Sequence, residues 1–122
     1  MMKGFRISLM AICFIVGNGI GLAGEAVPPL RTAPDSPADM HNTAGIDEYS
    51  QGYWKDAAAH FQEAVAADPQ SAEAHYNLAL ALDKLGQHKD AAGHFKQAAD
   101  LGKDNPDIQN SKILQGHLKM LK

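Results

Sequence analysis

Histidine is the residue type in this chain that is best suited to chemistry. Six histidines occur among 122 residues, and an imidazole can bind a transition metal or transfer a proton near neutral pH. Four of them form two pairs that are 34 residues apart, His41 with His75 and His60 with His94. Duplication of a segment explains such pairs without a ligand role, and a metal site needs several converging ligands. We therefore predict no metal site and no cofactor, and a histidine-dependent metal carrier stays open as an alternative function.

Other motifs that carry catalysis are missing from the sequence. It contains no glycine-rich phosphate loop, no His-Glu-x-x-His and no Gly-x-Ser-x-Gly. The formal net charge is -3, so there is no basic excess of the kind that binds nucleic acid. Because no acid, base and nucleophile can be named together, we predict that the protein is not an enzyme.

Residues 1–26 have the layout of a secretory signal peptide. Two basic residues precede a short apolar run, and small residues follow it. Cleavage fits after Ala23 or after Ala26 and would remove the single cysteine, Cys13. The run is short for a membrane span, although an uncleaved anchor stays an alternative. We expect an exported protein, in the periplasm or secreted, because a short signal without disulfides suits a bacterial envelope.

Residues 27–37 contain four of the six prolines. Proline at this density favours an extended, polyproline-like backbone. We therefore expect a linker without a packed core between the signal peptide and a folded domain.

The rest of the chain repeats itself with a period of 34 residues. Most of the identities fall in one stretch, GYWKDAAAHFQEA at 52–64 against GQHKDAAGHFKQA at 86–98. In both copies, alanine and phenylalanine recur at steps of three and four residues, which is the spacing of one helix face. The pattern predicts two similar helical units in tandem.

These copies resemble the tetratricopeptide repeat, a helix-turn-helix unit of about 34 residues. The family's Ala-x3-Phe spacing occurs at Ala57 and Phe61 in the first copy, and at Ala91 and Phe95 in the second. Pro69 lies where the family has a proline at the end of a repeat. The resemblance implies an all-α fold of stacked helix-turn-helix repeats, an α-solenoid.

The predicted solenoid has five helices, with repeat 1 over 38–71, repeat 2 over 72–105 and a capping helix in 106–122. Ser36 is the expected cap of the first helix, and Pro37 is its expected first residue. The other expected boundaries are marked by glycine, serine, asparagine or proline: Gly52, Asp68-Pro69, Ser71, Gly86, Gly102 and Asn105-Pro106.

Members of this family bind partners in a concave groove lined by the first helix of each repeat. By position, the resemblance implies a groove formed by Asn42, Ile46, Tyr49, Glu73, Tyr76, Asn77, Leu80, Asp83 and Lys84. Asn77 lies where peptide-binding members often have an asparagine, whose amide can both donate to and accept from a backbone. Tyr49 and Tyr76 would add aromatic surface suited to an interface. The implied function is a non-catalytic scaffold outside the cytoplasm that binds a protein or peptide.

Two repeats are fewer than the three that usually make such an array stable. A structural subunit that self-associates, or that completes a larger repeat assembly, is therefore the second hypothesis. The charges fit either one, because residues 38–71 carry six acids and one lysine, whereas 106–122 carry one acid and three lysines. This asymmetry can steer a basic partner to the first repeat or align copies head to tail.

Overall fold

The computed structural model describes residues 27–122, so the predicted signal peptide at 1–26 lies outside the described residues. Within 27–122 the chain forms helices and no strand. The helices are α1 (Asp39–Ser50), α2 (Trp54–Ala67), α3 (Ala72–Lys84), α4 (His88–Leu101), α5 (Pro106–Gln109) and α6 (Lys112–Lys119). None of these six helices has the length and apolar character needed to cross a membrane.

A glycine ends the first helix of each repeat. Gly52 and Gly86 have φ angles of 85° and 82°, a left-handed conformation that strains other residues. In each case the following N–H, that of Tyr53 or Gln87, bonds back to a carbonyl in the last helical turn. This is the Schellman arrangement, which satisfies carbonyls that the helix leaves without partners. The predicted ends at both glycines are confirmed.

Polar side chains cap the starts of α3 and α5. Ser71 Oγ accepts the N–H of Ala74 at 3.1 Å at the start of α3. Asn105 Oδ1 accepts the N–H of Asp107 at 2.9 Å at the start of α5. Each bond satisfies an N–H that has no partner within its helix, and both predicted starts are confirmed.

The first helix begins later in the chain than Ser36 and Pro37 predict. Ser36 Oγ accepts the N–H of Ala38 at 3.1 Å, as a cap would, but residues 36–38 form a turn. The helix begins at Asp39, and no side chain caps it. Pro37, predicted as the first helical residue, therefore lies in the turn.

The core forms where successive helices pack in chain order, α1 on α2, α2 on α3 and α3 on α4. Phe61 and Phe95 are completely buried, and so are the alanines about one turn before and after them. These alanines are Ala57, Ala64, Ala91 and Ala98. Small side chains let neighbouring helices approach closely, and each phenylalanine fills the space between them. The predicted apolar faces of α2 and α4 are confirmed.

The capping segment consists of two helices where the sequence predicted one over 107–121. The short α5 ends at Gln109, and Ser111 Oγ starts α6 by accepting the N–H of Leu114 at 3.3 Å. This break lets Ile108 and Leu114 both reach the core. With α6 packed on α4, the segment covers the end of the second repeat, as a cap must.

Candidate partner-binding groove

The side-chain amide of Asn77, on α3, holds the backbone of Leu30. Asn77 Oδ1 accepts the Leu30 N–H at 2.7 Å, and Asn77 Nδ2 donates to the Leu30 carbonyl at 2.7 Å. One side chain therefore binds both polar backbone groups of a single residue that lies 47 positions earlier. A contact of this kind recognises an extended backbone whatever its side chain.

A second asparagine, Asn42 on α1, completes the contact. Asn42 Nδ2 donates to the Leu30 carbonyl at 3.0 Å, and Asn42 Oδ1 accepts from Asn77 Nδ2 at 2.7 Å. Both amides are completely buried, and a buried amide that lacks partners costs about 1–3 kcal/mol. The two asparagines therefore orient each other, and their remaining amide groups need the polar groups of a backbone as hydrogen-bond partners.

That backbone belongs to residues 27–32, here called the groove segment. The side chains of Val27 and Leu30 pack against the core. Thr32 is buried, and its Oγ1 donates to Asp39 Oδ1 at 3.0 Å. The structure differs here from the sequence prediction, in which residues 27–37 are a linker without a packed core.

The nine residues predicted to line the groove fall into three sets. Two hold Leu30, four are apolar or aromatic and lie in or against the core, and three are charged. In that order they are Asn42 and Asn77; Ile46, Tyr49, Tyr76 and Leu80; and Glu73, Asp83 and Lys84. The structure brings the two asparagines together and gives most of the others partners within the chain.

The two tyrosines support the groove from within. Tyr76 shares a hydrogen bond of 2.9 Å with Ser111, and the ring of Tyr49 meets that of Trp54 edge-on, with centroids 4.9 Å apart. Burial raises the pKa of Tyr49 to about 12, and the nearby Asp83 carboxylate adds to this effect. Burial also raises the pKa of Tyr76, although its bond with Ser111 opposes the change. Both phenols are therefore neutral, as buried structural groups should be.

The charged residues at the ends of α3 have different surroundings. Near its start, Glu73 Oε2 accepts from Asn105 Nδ2 at 2.9 Å, which ties α3 to the turn before α5. At its end, Lys84 is exposed, and its Nζ lies 5.2 Å from the centroid of the Trp54 ring. A cation over an aromatic face is stabilised by about 0.5–1 kcal/mol at exposed sites. Lys84 is thus the most accessible charge of the predicted set.

A shallow hollow extends the groove along α1. Its lining includes one residue of the groove segment, Arg31, and residues of α1: Met40, Thr43, Ala44, Ile46, Asp47 and Ser50. Met40 is 72% exposed, which is unusual for a large apolar side chain. The hollow offers apolar surface beside the charges of Arg31 and Asp47.

Residues 42–106 match the family model of the tetratricopeptide repeat. This match covers more than half of the chain. The chain belongs to the tetratricopeptide repeat family. Comparisons with the curated proteins and with the solved structures found no match.

Tetratricopeptide repeats generally mediate protein–protein interaction, and the family is typically non-catalytic. The family predicted from the sequence, and its α-solenoid fold, are confirmed. The matched residues include both asparagines, whereas the groove segment and α6 lie outside the match. These two parts therefore add to the tetratricopeptide repeats, the groove segment in the groove and α6 at the end of the second repeat.

The groove segment is the part of the site that the sequence reasoning missed. A polyproline-like backbone has about three residues per turn, so residues three apart lie on the same side. Val27 and Leu30 have this spacing and are apolar, with Pro28 and Pro29 between them. The spacing is a signal for one apolar edge, but it does not show which surface that edge contacts.

Four of the histidines have the repeat-related positions that the sequence indicates. In the second repeat, His75 Nδ1 lies 3.1 Å from His94 Nδ1, and the two rings stack. In the first repeat, the equivalent residues, His41 and His60, each lie beside a glutamate, at 3.2 and 2.7 Å. These four imidazoles therefore have partners that account for them without a metal.

The other two histidines meet at one carboxylate. Asp83 Oδ1 lies 2.8 Å from His88 Nδ1 and 2.8 Å from His117 Nε2. Sequence reasoning missed this group, because its residues come from three helices and no local spacing relates them. In the part of the chain that the structure describes, this is the group whose composition suits a transition metal.

Proposed function

We propose that this domain is a non-catalytic interaction module that binds an extended segment of a partner protein on the face now covered by the groove segment. One observation carries the proposal: the amide of Asn77 bonds to both backbone groups of Leu30. Because those bonds involve only the backbone, a second extended chain can make them in the same place. The partner segment then replaces the groove segment.

The contacts of Leu30 indicate what such a partner segment contains. Its side chain packs against the core, so the segment needs an aliphatic residue at that position. The residue that follows Leu30 is Arg31, which lines the hollow together with Asp47. The first repeat carries six acids and one lysine, and these charges favour a basic residue there. We therefore expect an extended segment with an aliphatic residue followed by a basic one.

A partner must compete with a ligand that is part of the same chain. A short tether gives its bound segment an effective concentration in the millimolar range. A free peptide of the same sequence therefore binds the wild-type protein weakly. Weakening the groove segment should make the site available to the peptide.

The test uses a fluorescent peptide with the sequence VPPLRT of residues 27–32, measured by anisotropy. We expect the Leu30→Ala protein to bind it about tenfold more tightly than the wild type, because loss of a packed leucine weakens the internal competitor by about 1.4 kcal/mol or more. Pro28→Ala changes an exposed residue and serves as the matched control. A peptide in which the leucine is replaced by aspartate should bind neither protein.

A second variant tests the role of the asparagine. Adding Asn77→Ala to the Leu30→Ala protein should abolish peptide binding, while circular dichroism should still show helix. Equal peptide affinity with and without Asn77 would contradict the proposal, and so would an affinity that Leu30→Ala leaves unchanged.

Self-association is the second candidate function, and the same contacts favour it. Leu30 of a second copy can make the bonds that Leu30 makes within one chain, so two copies can exchange their groove segments. Light scattering over a range of concentrations distinguishes the two functions in the same samples. Dimers that disappear in the Leu30→Ala protein would support exchange, whereas a monomer in both proteins would exclude it.

We also propose that the protein is exported and acts outside the cytoplasm. The support is the signal-like arrangement of residues 1–26 and the absence of cysteine after Cys13. Cleavage after Ala23 and cleavage after Ala26 both leave the groove segment in the chain. The intact mass of the protein recovered from each cell fraction tests this, and an unprocessed chain in the cytoplasm would refute it.

A further inference from the structure

We propose that Asp83, His88 and His117 form a binding site for a divalent transition metal, with zinc as the ion that their chemistry suits best. Asp83 lies in the last turn of α3, His88 is the first residue of α4, and His117 lies in α6. One ligand atom from each residue lies within 4.8 Å of the others. Two imidazoles and a carboxylate are the three-ligand set found in open zinc sites.

The orientation of His117 carries the inference. Its Nδ1 lies 2.9 Å from the carbonyl of Ile113 and must donate to it, since a carbonyl can only accept. In a neutral imidazole the other nitrogen, Nε2, then has a lone pair and no proton. Nε2 lies 2.8 Å from Asp83 Oδ1, which is also an acceptor. Two acceptors at this distance repel each other unless a positive charge lies between them. That charge can be a second proton on the imidazole or a metal ion.

A backbone carbonyl that fixes the far nitrogen of a histidine is also the usual support of a metal ligand. It selects the tautomer and aims the free lone pair at the ion. The ring of His117 packs on Phe95, with centroids 4.9 Å apart, and only 11% of the His117 side chain is exposed. This histidine is therefore held in place before any ion binds.

His88 provides an adaptable third ligand. Its side chain is 55% exposed, and its Nδ1 lies 2.8 Å from the same oxygen of Asp83. Tetrahedral zinc with ligand distances of about 2.0–2.2 Å separates its ligand atoms by roughly 3.3 Å. The distances from Asp83 Oδ1 to the two nitrogens must therefore lengthen by about half an ångström. Small shifts of the Asp83 carboxylate and of the exposed His88 ring can provide this while His117 stays in place. The group contains three protein ligands, so a water molecule would complete the coordination.

The site would join three helices that are otherwise linked by packing and a few polar contacts. Zinc would fix α6, which covers the end of the second repeat, to the turn between α3 and α4. An ion that binds only the folded chain raises its stability with concentration. Zinc binding is therefore expected to raise the Tm of the protein.

The test is isothermal titration calorimetry with Zn²⁺ as the only added ligand. It uses the protein as the cell processes it, without an affinity tag. We expect saturable binding with one ion per chain. Asp83→Asn and His88→Gln should each weaken it about tenfold or more. Both change partly or largely exposed side chains and should leave the fold intact, unlike a change at the packed His117.

His60→Gln is the matched control. His60 also pairs with a carboxylate, that of Glu48 at 2.7 Å, but it is not part of the three-residue group. Zinc binding should be unchanged in this variant, and nitrogen NMR shifts on zinc addition should be largest for His88 Nδ1 and His117 Nε2. No saturable binding, equal affinity in His88→Gln, or equal loss in His60→Gln would each overturn the proposal.

Discussion

Single residues decide how closely the two helices of the first repeat approach. A Cβ atom built on Gly45 would lie 2.5 Å from two ring atoms of Phe61. Phe61 is completely buried, so its ring has little room to move. Gly45 is therefore required for space, unlike Gly52, which is required for its positive φ.

Gly45→Ala is expected to destabilise the protein by about 1–3 kcal/mol. The added methyl group overpacks the contact with Phe61, and this effect exceeds the gain from replacing a glycine inside a helix. The shift in the urea midpoint of unfolding, followed by circular dichroism, measures the change.

Gly93→Ala is the control for this prediction. Gly93 lies within α4, and a Cβ atom there meets nothing within 4 Å. Alanine should therefore stabilise the helix by about 0.5–1 kcal/mol through its higher helix propensity. If Gly45→Ala raised the midpoint as Gly93→Ala does, the close contact with Phe61 would not exist.

At the scale of elements, the break between α5 and α6 depends on one serine. Ser111 Oγ accepts the N–H of Leu114 at the start of α6, and it also bonds to the hydroxyl of the buried Tyr76. The same atom therefore starts a helix and satisfies a buried polar group on α3. Both bonds help to place α6 on the second repeat.

Ser111→Ala is expected to lower the free energy of unfolding by about 1–2 kcal/mol, because the helix cap and the partner of Tyr76 are lost together. Denaturant unfolding measures this loss. Ser50→Ala provides the comparison, since Ser50 is exposed at the end of α1 and bonds only to the nearby Asp47 carbonyl. If both variants lost the same stability, the double role of Ser111 would be excluded.

The ends of the helices and the buried faces of α2 and α4 are the features of this fold that the sequence predicts. Gly52, Gly86 and Ser71 mark helix ends through bonds with residues a few positions away, so their roles can be predicted from local pattern. The Ala-x3-Phe spacing also predicts the buried faces of α2 and α4, because helix periodicity alone determines which side chains share a face.

Contacts between distant residues were harder to predict. The resemblance to the repeat family pointed to Asn42 and Asn77 as groove residues, but not to the segment that they hold, since Leu30 lies 47 positions from Asn77. A proline-rich stretch predicts extended backbone, whereas its binding surface depends on the folded repeats. The meeting of Asp83, His88 and His117 likewise depends on how α6 packs, which no local spacing determines.

At the scale of the whole molecule, two repeats are completed by parts that are not repeats. The groove segment lies across α1 and α3, the first helices of the two repeats, and α6 packs on α4 at the end of the second repeat. A tandem array normally needs about three repeats because its end units expose apolar faces. Here α6 covers such a face at the end of the second repeat, and the groove segment adds contacts to both repeats. These added contacts are a physical reason why two repeats can suffice.

The stability of the whole chain should fall in mild acid through His94. Burial, and the nearby imidazole of His75, lower the pKa of His94 below its ordinary value of 6.5, and Asp90 only partly opposes them. The unfolded chain therefore binds a proton at a higher pH than the folded chain does, and protonation favours unfolding. This contribution to stability is complete above about pH 6.5 and is lost as the pH falls through the lowered pKa of the folded state.

Denaturant unfolding between pH 8 and pH 5, compared with the His94→Gln protein, measures this contribution. Glutamine keeps an N–H that can donate to His75 Nδ1 but cannot be protonated in this range. The other histidines are present in both proteins, so their effects largely cancel in the difference. The hydrogen bond from Lys96 lowers the pKa of Asp100 below its ordinary value of 3.8. Asp100 therefore affects stability only at more acidic pH. We expect the unfolding free energy of the wild type to fall relative to that of the His94→Gln protein as the pH drops below about 6.5. A difference between the two proteins that stays constant with pH would show that His94 titrates alike in the folded and unfolded states.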